Sequence, residues 1–314
     1  MMEFLRKTGL AALSIVTVTA ALAQSPIQVK DGETRHGPQN GSLLIIGGNV
    51  GDTPSIWSKF VELAGGKDNA NVVVVTAAAG DSAAWSPRHI EQIKGITGIQ
   101  RIQLLHTTSV QEANTEQFVA PLKEATGVYF IGGRQWRIAD YYLNTLAHQA
   151  FLEVLERGGV LAGSSAGASI QGSFLWRGDT SGPHILIGDH TQGLGFLKNS
   201  VIDQHLLKRN RQFDLVEVVK NTPTLIGIGL DEATAVLVQR DTLEVVGNSY
   251  VAIYDYGTIT GNRPDKAADG RENHNVSSGP FFFLGHGQKY DLKKRTVIQE
   301  PRRRSREEPV SEQE

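Results

Sequence analysis

Short apolar runs ending in small residues, each followed by a stretch with helical spacing, set the rhythm of this chain from residue 43 onward. Leu43-Leu44-Ile45-Ile46 runs into Gly47-Gly48. Ser55 to Ala64 then carries Ile56, Phe60, Val61 and Leu63 at helical spacing, behind a cap and first turn at Asp52-Thr53-Pro54. Val72 to Val75 predicts a second strand, with Ala77-Ala78-Ala79-Gly80-Asp81 as its loop. His89 to Thr97 predicts a helix, Ile102 to Leu105 a third strand, Thr115 to Glu124 a helix and Gly127 to Ile131 a fourth strand. Ile138 to Gly158 reads as one long helix and Val160 to Ala162 as a fifth strand. Unbroken apolar strands alternating with helices mean a mostly parallel sheet covered on both faces, an α/β fold. Ligands of such sheets bind outside the carboxyl ends of the strands, where Gly47, Gly132 and Ser165 would sit.

Beyond the fifth strand the pattern changes. Gly172 to Gly195 is loop-rich, Phe213 to Lys220 predicts a helix and Leu225 to Ile228 a strand. Ala235 to Val238, Thr242 to Val246 and Tyr250 to Tyr254 read as a meander, and Phe281 to Leu284 as a late strand. No repeat or linker divides the chain, so residues 41–296 are expected to form a single α/β catalytic domain. Residues 24–40, polar and Gly/Pro-containing, read as a mobile lead-in, and 297–314, rich in Arg and Glu, as a disordered charged tail. The first 23 residues read as a secretory signal. Arg6 and Lys7 precede an apolar run from Leu10 to Ala23 that ends Ala21-Leu22-Ala23, with cleavage expected before Gln24. The run falls short of the roughly 20 residues of a membrane span. A secreted or periplasmic protein with no membrane span in the mature chain is expected.

Composition narrows the chemistry. A formal net charge of −2 argues against nucleic acid as the main partner. The absence of cysteine excludes disulfides, a thiol nucleophile and thiolate metal sites, so an exported chain must be held by its core.

The chemistry centres on Gly163-Ser164-Ser165-Ala166-Gly167, a G-x-S-x-G sequence directly behind the fifth apolar run. In that position it reads as a nucleophile elbow, which lifts a serine hydroxyl above the end of a sheet and starts a helix whose free N–H groups can face an oxyanion. Ser165 is the candidate nucleophile. An activated serine needs a base and an orienting acid. Among nine histidines, His205 in Val201-Ile202-Asp203-Gln204-His205 follows a short apolar run downstream of the elbow. Asp231 or Glu232, at the end of Ile226-Gly227-Ile228-Gly229-Leu230, could orient it. The order Ser, His, acid is not that of the α/β-hydrolases. Gly132-Gly133, closing the fourth strand, could add oxyanion N–H groups. His184 and His190 flank Gly188-Asp189 at a spacing that matches no strong metal motif, and neither a metal nor a cofactor is expected.

Ile46-Gly47-Gly48, Phe130-Ile131-Gly132-Gly133-Arg134-Gln135, the elbow with Ala168, Asp203-Gln204-His205 and Gly229-Leu230-Asp231-Glu232 occur in one order. Together they resemble the serine peptidase family that holds cyanophycinase and dipeptidase E, over about residues 41 to 295. The resemblance implies a three-layer fold like the class I glutamine amidotransferases, with Ser165 as nucleophile, His205 as base and Glu232 as third member. It implies an oxyanion hole from the N–H groups of Gly133 and Ala166, and a substrate cleft lined by Gln135, Asp203, Gln204, Arg209 and Arg211. The implied substrate is cyanophycin, a polyaspartate carrying arginine branches, cut to β-Asp-Arg dipeptides, and the implied assembly is a homodimer. One departure concerns specificity. Where the family pattern after the histidine has a third arginine, this chain has Asp214, which would either repel a substrate carboxylate or take the guanidinium of a branch. A dipeptidase E-like exopeptidase for Asp-X or isoaspartyl peptides, and a catalytically silent peptide-binding protein, are the alternatives.

Overall fold

The computed structural model describes residues 36–80, 86–260 and 280–299, so the expected signal at 1–23 and most of the expected tail lie outside the described residues. The first half alternates strand and helix: β1 (Ser42–Ile46), α1 (Pro54–Leu63), β2 (Asn71–Val75), α2 (Arg88–Thr97) and β3 (Arg101–Leu105). Two short helices follow, α3 (Val110–Ala113) and α4 (Glu116–Val119), then a 3-10 turn at Ala120–Glu124 and β4 (Gly127–Phe130). α5 (Gln135–Tyr142) and α6 (Leu146–Glu156) precede β5 (Val160–Ser164), which leads through Ser165 into the short α7 (Ala166–Ser169). The second half is mostly strand: β6 (Gly172–Phe174), β7 (Leu197–Gln204), α8 (Val216–Asn221), β8 (Ile226–Leu230), β9 (Thr234–Gln239), β10 (Thr242–Gly247) and β11 (Val251–Tyr254). α9 (Tyr256–Thr260), β12 (Phe282–Leu284), β13 (Lys289–Asp291) and β14 (Thr296–Ile298) complete it.

The large sheet has the order β14-β13-β10-β9-β1-β5-β4-β2-β3. The five strands of the first half run parallel at one side, and β9, β10, β13 and β14 extend it antiparallel from β1. Burial on both faces explains why the parallel strands are apolar without alternation. Leu43, Ile45, Val73, Val75, Val128 and Phe130 join one core with Tyr142, Phe151 and Val154 of α5 and α6. Leu44, Ile46, Val72, Val74 and Tyr129 join a second core with Ile56, Trp57 and Phe60 of α1 and Ile93 of α2. Successive residues of each strand thus serve opposite layers, which is the three-layer α/β arrangement.

Two expectations change. The long helix is two helices: Leu143 is extended, Asn144 has φ 60°, and the Thr145 side chain accepts the His148 N–H to start α6. The meander divides, because β11 leaves β10 and pairs with β8 in a second sheet of order β12-β11-β8-β7-β6. Val251 and Ile253 face the core shared with the large sheet, while Ala252 and Tyr254 face a third core with Trp176, Val201 and Leu215. Two segments read as flanking the domain also carry structure. His36, placed in the lead-in, is buried, its ring Nδ1 donates to the Lys198 carbonyl at 3.1 Å and its backbone N–H to Asp241 Oδ1 at 2.7 Å; Val297 and Ile298, placed in the tail, belong to β14.

Candidate active site

The elbow forms as its sequence demands. Ser165 sits at φ 57°, ψ −112°, a strained conformation for a residue with a side chain, between the end of β5 and the first residue of α7. The two glycines of the motif allow the backbones to meet: a Cβ on Gly163 would lie 2.2 Å from the Gly167 carbonyl oxygen, and one on Gly167 2.2 Å from that of Phe130. The hydroxyl so exposed lies 2.9 Å from Nε2 of His205, and Nδ1 of the same ring lies 2.7 Å from Oε1 of Glu232. The carboxylate accepts from Nδ1–H, which leaves Nε2 as the acceptor for the serine proton. Of the two acids offered by the sequence, Glu232 meets the ring. Asp231 turns away, accepting from the N–H groups of Leu207 and Lys208 and from the Ser249 hydroxyl.

Gly132, at the exit of β4, borders the hydroxyl, since a Cβ there would lie 3.3 Å from Ser165 Cβ. Neither the Gly133 N–H, next along, nor the Ala166 N–H, at the start of α7, has a backbone acceptor among the described residues. A hydroxyl, an imidazole acceptor, an orienting carboxylate and nearby N–H donors are the components of acyl transfer.

The model of peptidase family S51 matches residues 43–246, which include Ser165, His205, Glu232, Gly133 and Ala166. The chain belongs to peptidase family S51. A cyanophycinase of Geminocystis herdmanii is 28% identical over 260 residues, 80% of this chain and 94% of the relative. A cyanophycinase of Nostoc sp. is 30% identical over 239 residues, 74% of this chain and 79% of the relative. The crystal structure of a peptidase from an acI-B1 actinobacterium superposes with a TM-score of 0.57 at 25% identity, covering 80% of this chain and 97% of that one. As an S51 peptidase the protein is a serine-type hydrolase.

Four of the five remaining candidates of this S51 peptidase, Gln135, Asp203, Gln204 and Arg211, are buried beside the triad. Gln135 is 2% exposed, and its amide donates to the carbonyls of Trp176 and Arg177 at 2.8 and 2.9 Å. Asp203 is wholly buried and accepts from Trp176 Nε1, Arg177 Nε and Nη2, the Gln204 N–H and, at 3.4 Å, Arg211 Nη1. Gln204 is buried as well and receives Arg211 Nη1 on both its carbonyl and its side-chain oxygen. Of the five cleft candidates only Arg209 is exposed. In this arrangement Gln135, Asp203 and Gln204 hold the Trp176-Arg177 segment and Arg211 in place.

Arg177 is one of two residues that sequence reasoning missed. Its guanidinium, 4% exposed, bridges Asp203 and Asp214, the residue that departs from the family pattern. Asp214 therefore meets a guanidinium, but one belonging to the protein. The available signal was Asp214 itself, a carboxylate that needs a cation, but nothing local pointed to a loop 37 residues upstream. Asn49 was missed too: its Nδ2 donates to Glu232 Oε2 at 3.0 Å. His184 and His190 stay apart from this chemistry. His190 places its ring nitrogens 2.6 Å from Asp140 and 2.8 Å from Asp189, and both contacts raise its pKa although burial opposes them.

Electrostatics lower the pKa of both titratable members of the triad, which favours a neutral imidazole and an ionised carboxylate. Burial pulls the His205 pKa below its ordinary value; Arg209 and Arg211 add to that, and the bond to Glu232 opposes it. Glu232 is held below the usual carboxylate range. Burial pushes it up, but the hydrogen bonds from His205 and Asn49 outweigh that. A neutral imidazole facing an ionised carboxylate is the state in which a serine proton can be taken.

Proposed function

We propose that this S51 peptidase is an exported enzyme that hydrolyses cyanophycin to β-Asp-Arg dipeptides through an acyl-enzyme on Ser165. The observation that carries the mechanism is the unbroken line from Ser165 Oγ through His205 to Glu232, at 2.9 and 2.7 Å. In this reading Ser165 attacks the scissile carbonyl as its proton passes to His205 Nε2. The N–H groups of Gly133 and Ala166 receive the oxyanion, and His205 returns the proton to the departing amine. Water then enters by the same base to release the acyl group.

The substrate class rests on the two relatives named cyanophycinase, each matched over more than three quarters of its length. It also rests on charge. Arg209, exposed and within the electrostatic reach of His205, offers a fork to the free carboxylate of an arginine branch. Export rests on the basic start, the Leu10 to Ala23 run and its Ala-Leu-Ala end. Pairing of two copies is part of the same reading, by resemblance alone.

Incubating the purified protein with insoluble cyanophycin and weighing the soluble products by mass spectrometry tests the substrate. β-Asp-Arg should accumulate with the wild type and be absent with Ser165→Ala. An intact polymer, together with hydrolysis of short Asp-X or isoaspartyl peptides, would transfer the assignment to a dipeptidase E-like exopeptidase. Export is tested by sequencing the N-terminus of the protein recovered outside the cytoplasm, expected at Gln24.

A further inference from the structure

Four consecutive residues at the exit of β1 bond to the three separate segments that carry the triad. The Ile46 carbonyl accepts the Ser165 N–H at 3.0 Å, and the Gly47 carbonyl accepts the His205 N–H at 2.9 Å. The Gly48 carbonyl accepts the N–H of Ala233, the neighbour of Glu232, at 3.0 Å. Asn49 then gives its side chain to the Glu232 carboxylate itself at 3.0 Å. The segments come from the elbow, from the end of β7 and from the turn between β8 and β9, so nothing in their own sequence aligns them. The β1 exit does so with one contact each to Ser165 and His205 and two to the Glu232 segment. It also lies against the base: a Cβ on Gly48 would fall 2.3 Å from Cε1 of His205.

We propose that Asn49 is a positioning residue for the reaction of this peptidase, the fourth member of a hydrogen-bonded line Ser165, His205, Glu232, Asn49. The inference rests on the reading of the first three as a catalytic triad. A carboxylate that holds an imidazole by one oxygen can still rotate about its last torsion. A donor on the second oxygen fixes its plane and keeps the charge where the ring needs it. Asn49 supplies that donor from a backbone at φ 41°, a left-handed conformation that asparagine and aspartate tolerate better than other residues with a side chain. Its amide must turn its nitrogen toward Glu232, because the oxygen would face a carboxylate with no proton to share. The Glu232 side chain is 20% exposed, so water competes for the bond and the contribution is one of alignment more than of folding.

The test uses the second-order rate of fluorophosphonate labelling at Ser165 from pH 5 to 9, which needs no knowledge of the natural substrate. Wild type, Asn49→Gly and Asn49→Asp are compared, with thermal denaturation alongside. Asn49→Gly keeps the backbone conformation and removes the donor, and should label about tenfold more slowly, the size of one charge-assisted hydrogen bond, with an unchanged melting temperature. Asn49→Asp should lose at least as much. Its added carboxylate should also stabilise the imidazolium, moving the acid limb to higher pH than in Asn49→Gly. Labelling of both variants at the wild-type rate overturns the proposal while leaving the triad intact. Equal losses with an unmoved acid limb and a lowered melting temperature overturn it in favour of a merely structural side chain. A wild type that does not label at Ser165 overturns the triad reading and the proposal with it.

Discussion

Replacing Arg177 with methionine keeps most of a buried stem and removes the cation on which the Asp203 cluster depends. The guanidinium contacts Asp203 through Nε at 3.0 and 3.2 Å and Nη2 at 3.0 Å, and donates through Nη1 to the Pro183 carbonyl at 3.0 Å. Without it, wholly buried Asp203 keeps Trp176 Nε1 at 3.2 Å, the Gln204 N–H at 2.9 Å and only a long contact to Arg211 at 3.4 Å. Removing one partner of a buried ion pair costs about 3–5 kcal/mol, because the other charge is stranded. Asp214, 31% exposed, adds little, since water reaches it when its partner is gone. At roughly 2–4 °C per kcal/mol for a domain of this size, Arg177→Met should lower the melting temperature by about 6–20 °C. Circular dichroism melts at neutral pH measure it. Asp203→Asn placed in the same background removes the stranded charge, so the double variant should melt above Arg177→Met. Asp214→Arg, which restores the family's third cation, should also destabilise, because it sets that cation against Arg177. A drop of less than about 2 °C for Arg177→Met, or a double variant that simply adds the two losses, would refute the reasoning.

Three further outcomes are expected. Ser165→Ala should lower kcat by about 10⁴-fold or more while the melting temperature holds, since only one hydroxyl is lost; a tenth of wild-type activity remaining would remove Ser165 from the mechanism. The acid limb of kcat/KM should lie below the ordinary histidine value, because the neutral imidazole is the active form and burial lowers its pKa, so activity is full above that value and lost as pH falls through the lowered one. Arg209→Ala should move the limb up and Glu232→Gln should move it down, and pH–rate profiles that shift in the reverse senses would contradict the assignment. Gly48→Ala, at φ +130° with its new carbon 2.3 Å from the His205 ring, should displace the imidazole and abolish fluorophosphonate labelling even where circular dichroism shows a folded protein.

Much of the fold was legible because it is written at short range. Leu43 to Ile46, Val72 to Val75 and Val160 to Ala162 are strands in the structure as in the reading, and their lack of alternation correctly implied burial on both faces. The elbow was legible for the same reason: Gly163 and Gly167 are needed by a turn that spans five residues. The break between α5 and α6 was missed because Leu143-Asn144-Thr145 offers only a weak cap signal inside a long apolar period. The departure of β11 was missed because a period of two states that a strand has two faces and not which sheet it joins.

The side-chain partners of the site follow the opposite rule. Ser165, His205 and Glu232 were named from motifs and resemblance, but the choice of Glu232 over Asp231 at the ring is a matter of where β8 ends against β7. Arg177 reaches Asp214 across 37 residues and Asn49 reaches Glu232 across 183, distances over which periodicity and propensity carry no information. Local pattern specifies strands, turns and the strained serine because their energetics are settled within a few neighbouring residues. The charge balance around Asp203 and the alignment of the triad exist only once separate segments are packed together, so the tertiary structure alone decides them.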